Sequence, residues 1–167
     1  MRVAFGILVP LAAAFLQGSV VPFVGVGDAR PNLVVLAAAS WAVAAGPREA
    51  VWWAFLGGLA SDLLSGGPLG ALALAGLVPV AAAGIGDSEL RPRSALAGAL
   101  VVAIASLATS AIYLAILAIV GASLPDAPRL TTLTVMGAAY NGVLAIATYP
   151  IARTLHRGTE KQASFGW

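Results

Sequence analysis

Six apolar segments, separated only by short clusters of charge, proline and glycine, make up nearly all of this chain. They run approximately from Val3 to Val21, Leu33 to Ala45, Ala50 to Leu64, Leu69 to Ile85, Ala95 to Val120 and Thr131 to Leu155. Residues in such runs cannot mostly face water. Apolar types are 60% of the chain and charged types 10%, against roughly 45–50% and 25% in soluble domains. The expected solvent is a lipid bilayer. Backbone in hydrocarbon must satisfy its own hydrogen bonds, and the spacing offers no alternating strands for a closed barrel. The expected fold is therefore all-α, a six-transmembrane-helix bundle forming a single membrane domain over residues 1–167. The second and third segments fall short of the ~20 residues that cross a ~30 Å hydrocarbon core, so they must borrow flanking residues, thin the bilayer or pack inside the bundle. The opening MRVAFGILVPLAAAFLQGSVVP has the charge and apolar core of a secretory signal, but its long apolar run reads as a retained first span.

The basic residues set the expected orientation. On a six-span reading one side collects Arg2, Arg48, Arg91, Arg93, Arg153, Arg157 and Lys161, and the other holds only Arg30 and Arg129. Seven against two places both termini in the cytoplasm. Trp52 and Trp53, after the GPRE turn, and Tyr149, near the last exit, agree as headgroup-level aromatics. Cysteine is absent, which excludes disulfides and thiolate chemistry. The lone His156 lies in a basic tail and reads as a solvated or headgroup-contacting side chain, since a metal site needs several convergent ligands. No cofactor and no nucleic-acid partner is expected.

Asp62 is the anomaly. It lies twelve residues beyond Ala50, roughly 18 Å along a helix at 1.5 Å per residue, hence in the outer leaflet. A charged acid there is costly, so it should point inward and find a partner. Topology offers Arg30 and Asn32, or hydroxyl and amide groups of neighbouring spans. Ser61 and Gly58 belong to the small-residue face that Asp62 flanks, and Tyr140 and Asn141 interrupt the sixth span, where at least one should face the interior. The first span carries Gly6, Pro10, Ala14 and Gly18 every four residues, with Gln17 beside them, and the fifth carries Gly98, Ser106 and Ser110. Such stripes allow close helix approach, either for internal packing or for docking a partner helix. Pro10, Pro79 and Pro150 should bend their spans or free carbonyls.

The order Pro31-Asn32-Leu33, Trp41, Gly46-Pro47-Arg48-Glu49, Gly57-Gly58-Leu59 with Asp62, and Ser65-Gly66-Gly67-Pro68-Leu69-Gly70 resembles the rod shape-determining protein MreD family. The last span, from Tyr140-Asn141 to Tyr149-Pro150, is similar to that family's closing helix. Asn32 stands where many members have Asp. The resemblance implies a non-enzymatic subunit of the bacterial elongation machinery for peptidoglycan, in the cytoplasmic membrane. It implies the single-span protein MreC as partner, alongside the polymerase RodA with its transpeptidase and the cytoskeletal MreB. It also implies a fold like the substrate-binding S components of energy-coupling factor vitamin transporters, which are the rival reading. An S component would use Asp28, Arg30, Asn32 and Asp62 as a pocket floor and the Gly6 to Gly18 stripe to dock a transporter subunit. The short outer loop VPFVGVGDAR, with no aromatic beyond Phe23, favours the scaffold. In a scaffold the outer pocket is expected to be absent or filled by side chains, with no tightly held vitamin or nucleobase. An intramembrane enzyme would need a second acid, a nucleophile or a histidine beside Asp62 in an adjacent span, and none is expected there.

Overall fold

The computed structural model describes residues 2–25, 29–85, 92 and 94–164. Among the described residues the structure is 84% helical, and no strand occurs. Six α-helices follow one another among the described residues: α1 (Arg2–Ser19), α2 (Leu33–Ala45), α3 (Pro47–Ser65), α4 (Ala71–Gly84), α5 (Ala95–Ile119) and α6 (Ala127–Ser164), with one 3-10 turn at Val21–Phe23. The segment bounds read from the sequence match closely except at α6, which starts four residues earlier than Thr131 and continues well past Leu155. Its first turn is tightened by the Thr131 and Thr132 hydroxyls, which donate to the carbonyls of Ala127 and Pro128 at 2.9 Å each. Its far end carries the basic, polar stretch beyond the apolar run.

The shortest helix is the central one. Every other helix packs against α2, and none of its residues is exposed. A helix apolar on all sides is one meant for burial, and LVVLAAASWAVAA is such a sequence, with alanines that let neighbours approach closely. Around it, α1 packs on α3, α3 on α4, α4 on α5 and α5 on α6, while among the described residues α1 touches neither α5 nor α6. Large apolar side chains are exposed on all five surrounding helices, including Phe15 on α1, Leu63 on α3, Val78 on α4, Leu100 on α5 and Val143 on α6. An apolar belt of this kind is compatible with lipid as the surrounding solvent. Two helices, Ala95–Ile119 and Ala127–Gly158, are long and apolar enough by themselves to cross a bilayer.

Glycine sets the tightest contacts. A Cβ on Gly58 would lie 2.6 Å from the amide nitrogen and the Cα of Ala73, so α3 meets the first turn of α4 backbone to backbone. Gly57, one residue earlier, faces the other way: a Cβ there would sit 2.7 Å from Val34 and 3.2 Å from the Pro10 carbonyl. The pair lets α3 lie against α1, α2 and α4 at one level. Gly98 on α5 receives the face of the Tyr149 ring from α6, and the Tyr149 hydroxyl donates to the Pro92 carbonyl just ahead of α5.

Candidate functional site

Because α2 has 13 residues, it is only about 20 Å long, some 10 Å less than a hydrocarbon core. At its N-terminal end the helix is entered through non-helical backbone over residues 29–32, and the part of it that lies between α1 and α6 must be hydrogen-bonded by protein. Two side-chain amides do this. Gln17 of α1 donates through Nε2 to the Pro31 carbonyl at 3.1 Å and accepts the Leu33 N–H through Oε1 at 2.7 Å. Asn141 of α6 accepts the Asn32 N–H at 3.0 Å and donates through Nδ2 to the Asn32 carbonyl at 3.1 Å and to the Ser106 hydroxyl of α5 at 2.9 Å. Each amide presents a donor and an acceptor to the peptide, as a neighbouring strand would. Asn32 itself caps α2, accepting the Val35 N–H at 3.1 Å. Pro31-Asn32-Leu33 is thus clamped from both sides by α1 and α6.

Asp62 finds its partner in a helix terminus. Its side chain is 3% exposed, and both carboxylate oxygens accept the Leu72 N–H, at 3.1 and 3.3 Å. The amides of Gly70 and Ala73 also face it. These are the free N–H groups of the first turn of α4, whose own N-cap, Gly70, has no side chain to offer. An acid from the adjacent helix does the capping, and it lies at the positive end of the α4 dipole. Gly58, one turn earlier on α3, permits the backbone approach that brings those amides within reach.

Above the α2 terminus lies a cavity of about 260 Å3, with Asn32, Ser61, Asp62, Thr109 and Tyr113 among its lining residues. The expectation of a filled outer end is not met, because α2 stops short and α3 and α5 do not touch each other. Ser61 and Thr109 are 6% and 1% exposed, and neither hydroxyl has a hydrogen-bond partner.

Residues 1–158 of the chain match the family described as rod shape-determining protein MreD. The chain belongs to the MreD family. Membership assigns it a role in rod shape determination. No curated protein and no solved structure matches it.

Among the residues singled out in this MreD family member, Asn32, Ser61 and Asp62 line one cavity, Asn141 meets Asn32, and Gly58 sits against α4. Arg30 does not join them. It is exposed, and the partner of Asp62 is backbone rather than guanidinium, because the α4 amides need an acceptor and are already fixed beside it. Tyr140 lies apart, donating to the Val24 carbonyl at 3.0 Å. Asp28, Arg91 and Arg93 fall outside the described residues. In the α1 stripe, Pro10 and Ala14 are buried against α2 and α3, Gly6 faces Trp53 and Gly18 borders the cavity, so the stripe is covered largely by the chain's own helices rather than offered for docking.

At the opposite end of the MreD bundle the sequence reading of aromatics and histidine needs correction. Trp41 and Trp53 stack with centroids 4.8 Å apart, Phe5 packs on both at 5.5 and 5.4 Å, and His156 meets Trp41 edge-on at 5.9 Å. Trp53 is buried while Trp52 is exposed, since only Trp53 falls on the inward face of α3. The Trp41 indole N–H donates to Glu49 at 3.1 Å. Gln17 and Thr109 were the residues whose importance was least visible in the sequence. For Gln17 the available signal was an amide in an otherwise apolar helical run, whereas Thr109 stands beside Ser106 and Ser110 and carried no signal of its own.

Proposed function

We propose that this chain is a non-enzymatic, multi-pass subunit of the bacterial elongation machinery. On this reading it crosses the cytoplasmic membrane six times, has both termini in the cytoplasm, binds an MreC-type single-span protein, and so helps regulate peptidoglycan synthesis and cell shape. RodA with its transpeptidase, and MreB beyond them, are its indirect partners. The observation that carries the reading is the family match over residues 1–158. Two features of the fold support it. The basic turn at Arg48 and the His156 region share one end of the bundle through the Trp41, Trp53 and Glu49 contacts, as a cytoplasmic face requires. The lipid-facing surfaces of the five outer helices offer apolar area to a partner helix.

Copurification tests the partner. Expressed in its own cell and extracted in mild detergent, the chain should retain an MreC-like single-span protein; an ATPase-linked transporter subunit instead would overturn the reading. Reporter fusions at Gly66 and Trp167 should report opposite sides of the membrane, and the same side for both would end the six-span arrangement. The cavity favours one second reading, an S component. At about 260 Å3 it is below the roughly 300–1,000 Å3 of sites that enclose a drug-sized ligand, and the α1 stripe such a protein would dock through is largely covered. A vitamin retained stoichiometrically through purification would reverse that preference.

A further inference from the structure

A second concavity lies on the outside of the bundle, where α5 and α6 pack against each other. Its floor is made of small residues, Ala99 and Ala103 of α5 and Gly142 of α6, and the exposed side chains of Leu100 and Ile146 rise at its sides. The space is about 580 Å3, within the roughly 300–1,000 Å3 of ligand sites. At its inner end the two helices nearly touch, since a Cβ on Gly142 would lie 3.0 Å from that of Ala103. From there the groove runs to Ser94, the N-cap of α5. Ser94 and Ala103 are about 13 Å apart along a helix at 1.5 Å per residue, about half of a ~30 Å hydrocarbon core. The groove thus has the depth of one leaflet.

Charge is gathered at the Ser94 end. Taking about 100° per residue, Arg153 and Arg157 fall about 20° and about 60° around α6 from Gly142, on the face that carries Ile146. Arg157 is exposed and Arg153 half-buried. Tyr149, one turn before Arg153, donates to the Pro92 carbonyl, which sets both arginines at or just beyond the open end of the groove. No acid occurs in α5, or in α6 before Glu160, and the DSELRPR stretch ahead of Ser94 balances two acids with two arginines. The first turn of the 25-residue α5 adds the positive end of its dipole.

We propose that this groove holds one anionic phospholipid, with an acyl chain against Ala99, Ala103 and Gly142 and its phosphate at the end formed by the first turn of α5 with Arg153 and Arg157. An apolar slot of one-leaflet depth that opens onto cationic side chains complements such a lipid along its whole length, and basic sites between spans are where anionic head groups bind. A partner helix is a poorer match, because a spanning helix runs the full ~30 Å and the groove closes at half that depth. Which leaflet supplies the lipid follows from the topology proposed above. The groove and its charges do not depend on it, since both belong to α5 and α6 of this chain.

The test places the full-length protein in nanodiscs of equal phosphatidylglycerol and phosphatidylcholine with matched acyl chains, then counts by native mass spectrometry the lipids that stay bound on release. Phosphatidylglycerol should be retained roughly fivefold or more over phosphatidylcholine. Replacing Arg153 and Arg157 together by glutamine should bring the two lipids to near equality. Ala103→Leu fills the floor of the groove, and Ile146→Trp fills the same space from an exposed position on its side. Each should lower phosphatidylglycerol retention several-fold, and Ile146→Trp should melt near the wild-type temperature, which separates loss of lipid from loss of fold. Val78→Phe, on the exposed face of α4, should change neither quantity. Equal retention of the two lipids by the wild-type protein would overturn the proposal. So would a preference that survives Ile146→Trp, which would reduce the effect to charge attraction at the membrane surface, or an Ile146→Trp variant that keeps its lipid and loses a copurifying single-span protein, which would make the groove a helix-docking face.

Discussion

Replacing Asp62 separates two accounts of why an acid stands in an apolar helix. If its task is to accept the first-turn amides of α4, what matters is acceptor capacity rather than charge pairing with Arg30. Asp62→Asn keeps one oxygen for the Leu72 N–H but turns an NH2 toward amides that are themselves donors. Asp62→Leu keeps no acceptor. Loss of a helix cap costs about 0.5–2 kcal/mol. Loss of a partly buried negative charge at a helix N-terminus adds roughly 0.3–2 kcal/mol, and an amide left buried without a partner brings the penalty to about 1–3 kcal/mol for that group. These terms overlap, so the expected destabilisation is about 1 kcal/mol for asparagine and about 2–4 kcal/mol for leucine. Arg30→Ala should be close to neutral, because Arg30 is exposed and Asp62 takes its bonds from α4. Equilibrium unfolding in mixed micelles measures all three variants in one detergent, and retention of the membrane partner should follow the same order. A leucine variant as stable as wild type, or an Arg30→Ala variant as unstable as Asp62→Leu, would refute the capping argument.

Asn141→Leu breaks three hydrogen bonds and strands the Asn32 N–H, with an expected loss of about 2–4 kcal/mol in the same unfolding assay. Gln17→Leu should cost less, about 1–2 kcal/mol, and the double variant should be less than additive because both amides hold one segment. Gly58→Ala forces α3 and α4 apart at their backbones; a loss of about 1–3 kcal/mol is expected, and it should weaken Asp62 capping enough to mask part of the effect of Asp62→Asn. Tyr149→Phe should cost only about 0.5–1.5 kcal/mol, whereas Gly98→Ala, which meets the ring itself, should lower the melting temperature more.

Much of the architecture is legible in the residues, and the parts that are not share a cause. Charge and Pro/Gly punctuation mark out the helices, and Leu33 to Ala45 coincides with α2. What punctuation cannot express is which helix lies at the centre. LVVLAAASWAVAA carries no polar face to show that it is surrounded, and a uniformly apolar run reads alike whether lipid or protein covers it. The same ambiguity hid Trp53, which shares an interfacial-looking pair with Trp52 but lies on the inward side. Polar residues were legible as anomalies, while their partners were not. Side-chain-to-backbone bonds such as those of Gln17 and Asp62 leave no complementary residue in the sequence to pair with.

Those bonds and the cavity have one origin. A central helix of 13 residues is only about 20 Å long, shorter than α1, α3, α5 and α6 around it, and the missing length appears as non-helical backbone topped by open space. Buried non-helical backbone needs donors and acceptors brought to it, which accounts for Gln17 on α1, Asn141 on α6 and Ser106 on α5 converging on the same lead-in to α2. Ser61 and Thr109 border the open space, but their hydroxyl oxygens are closed off from it. Lengthening α2 would remove both the lead-in and the open space. A chain that keeps the short helix must keep the two clamping amides with it, because without them the Pro31 carbonyl and the N–H groups of Asn32 and Leu33 lose their partners.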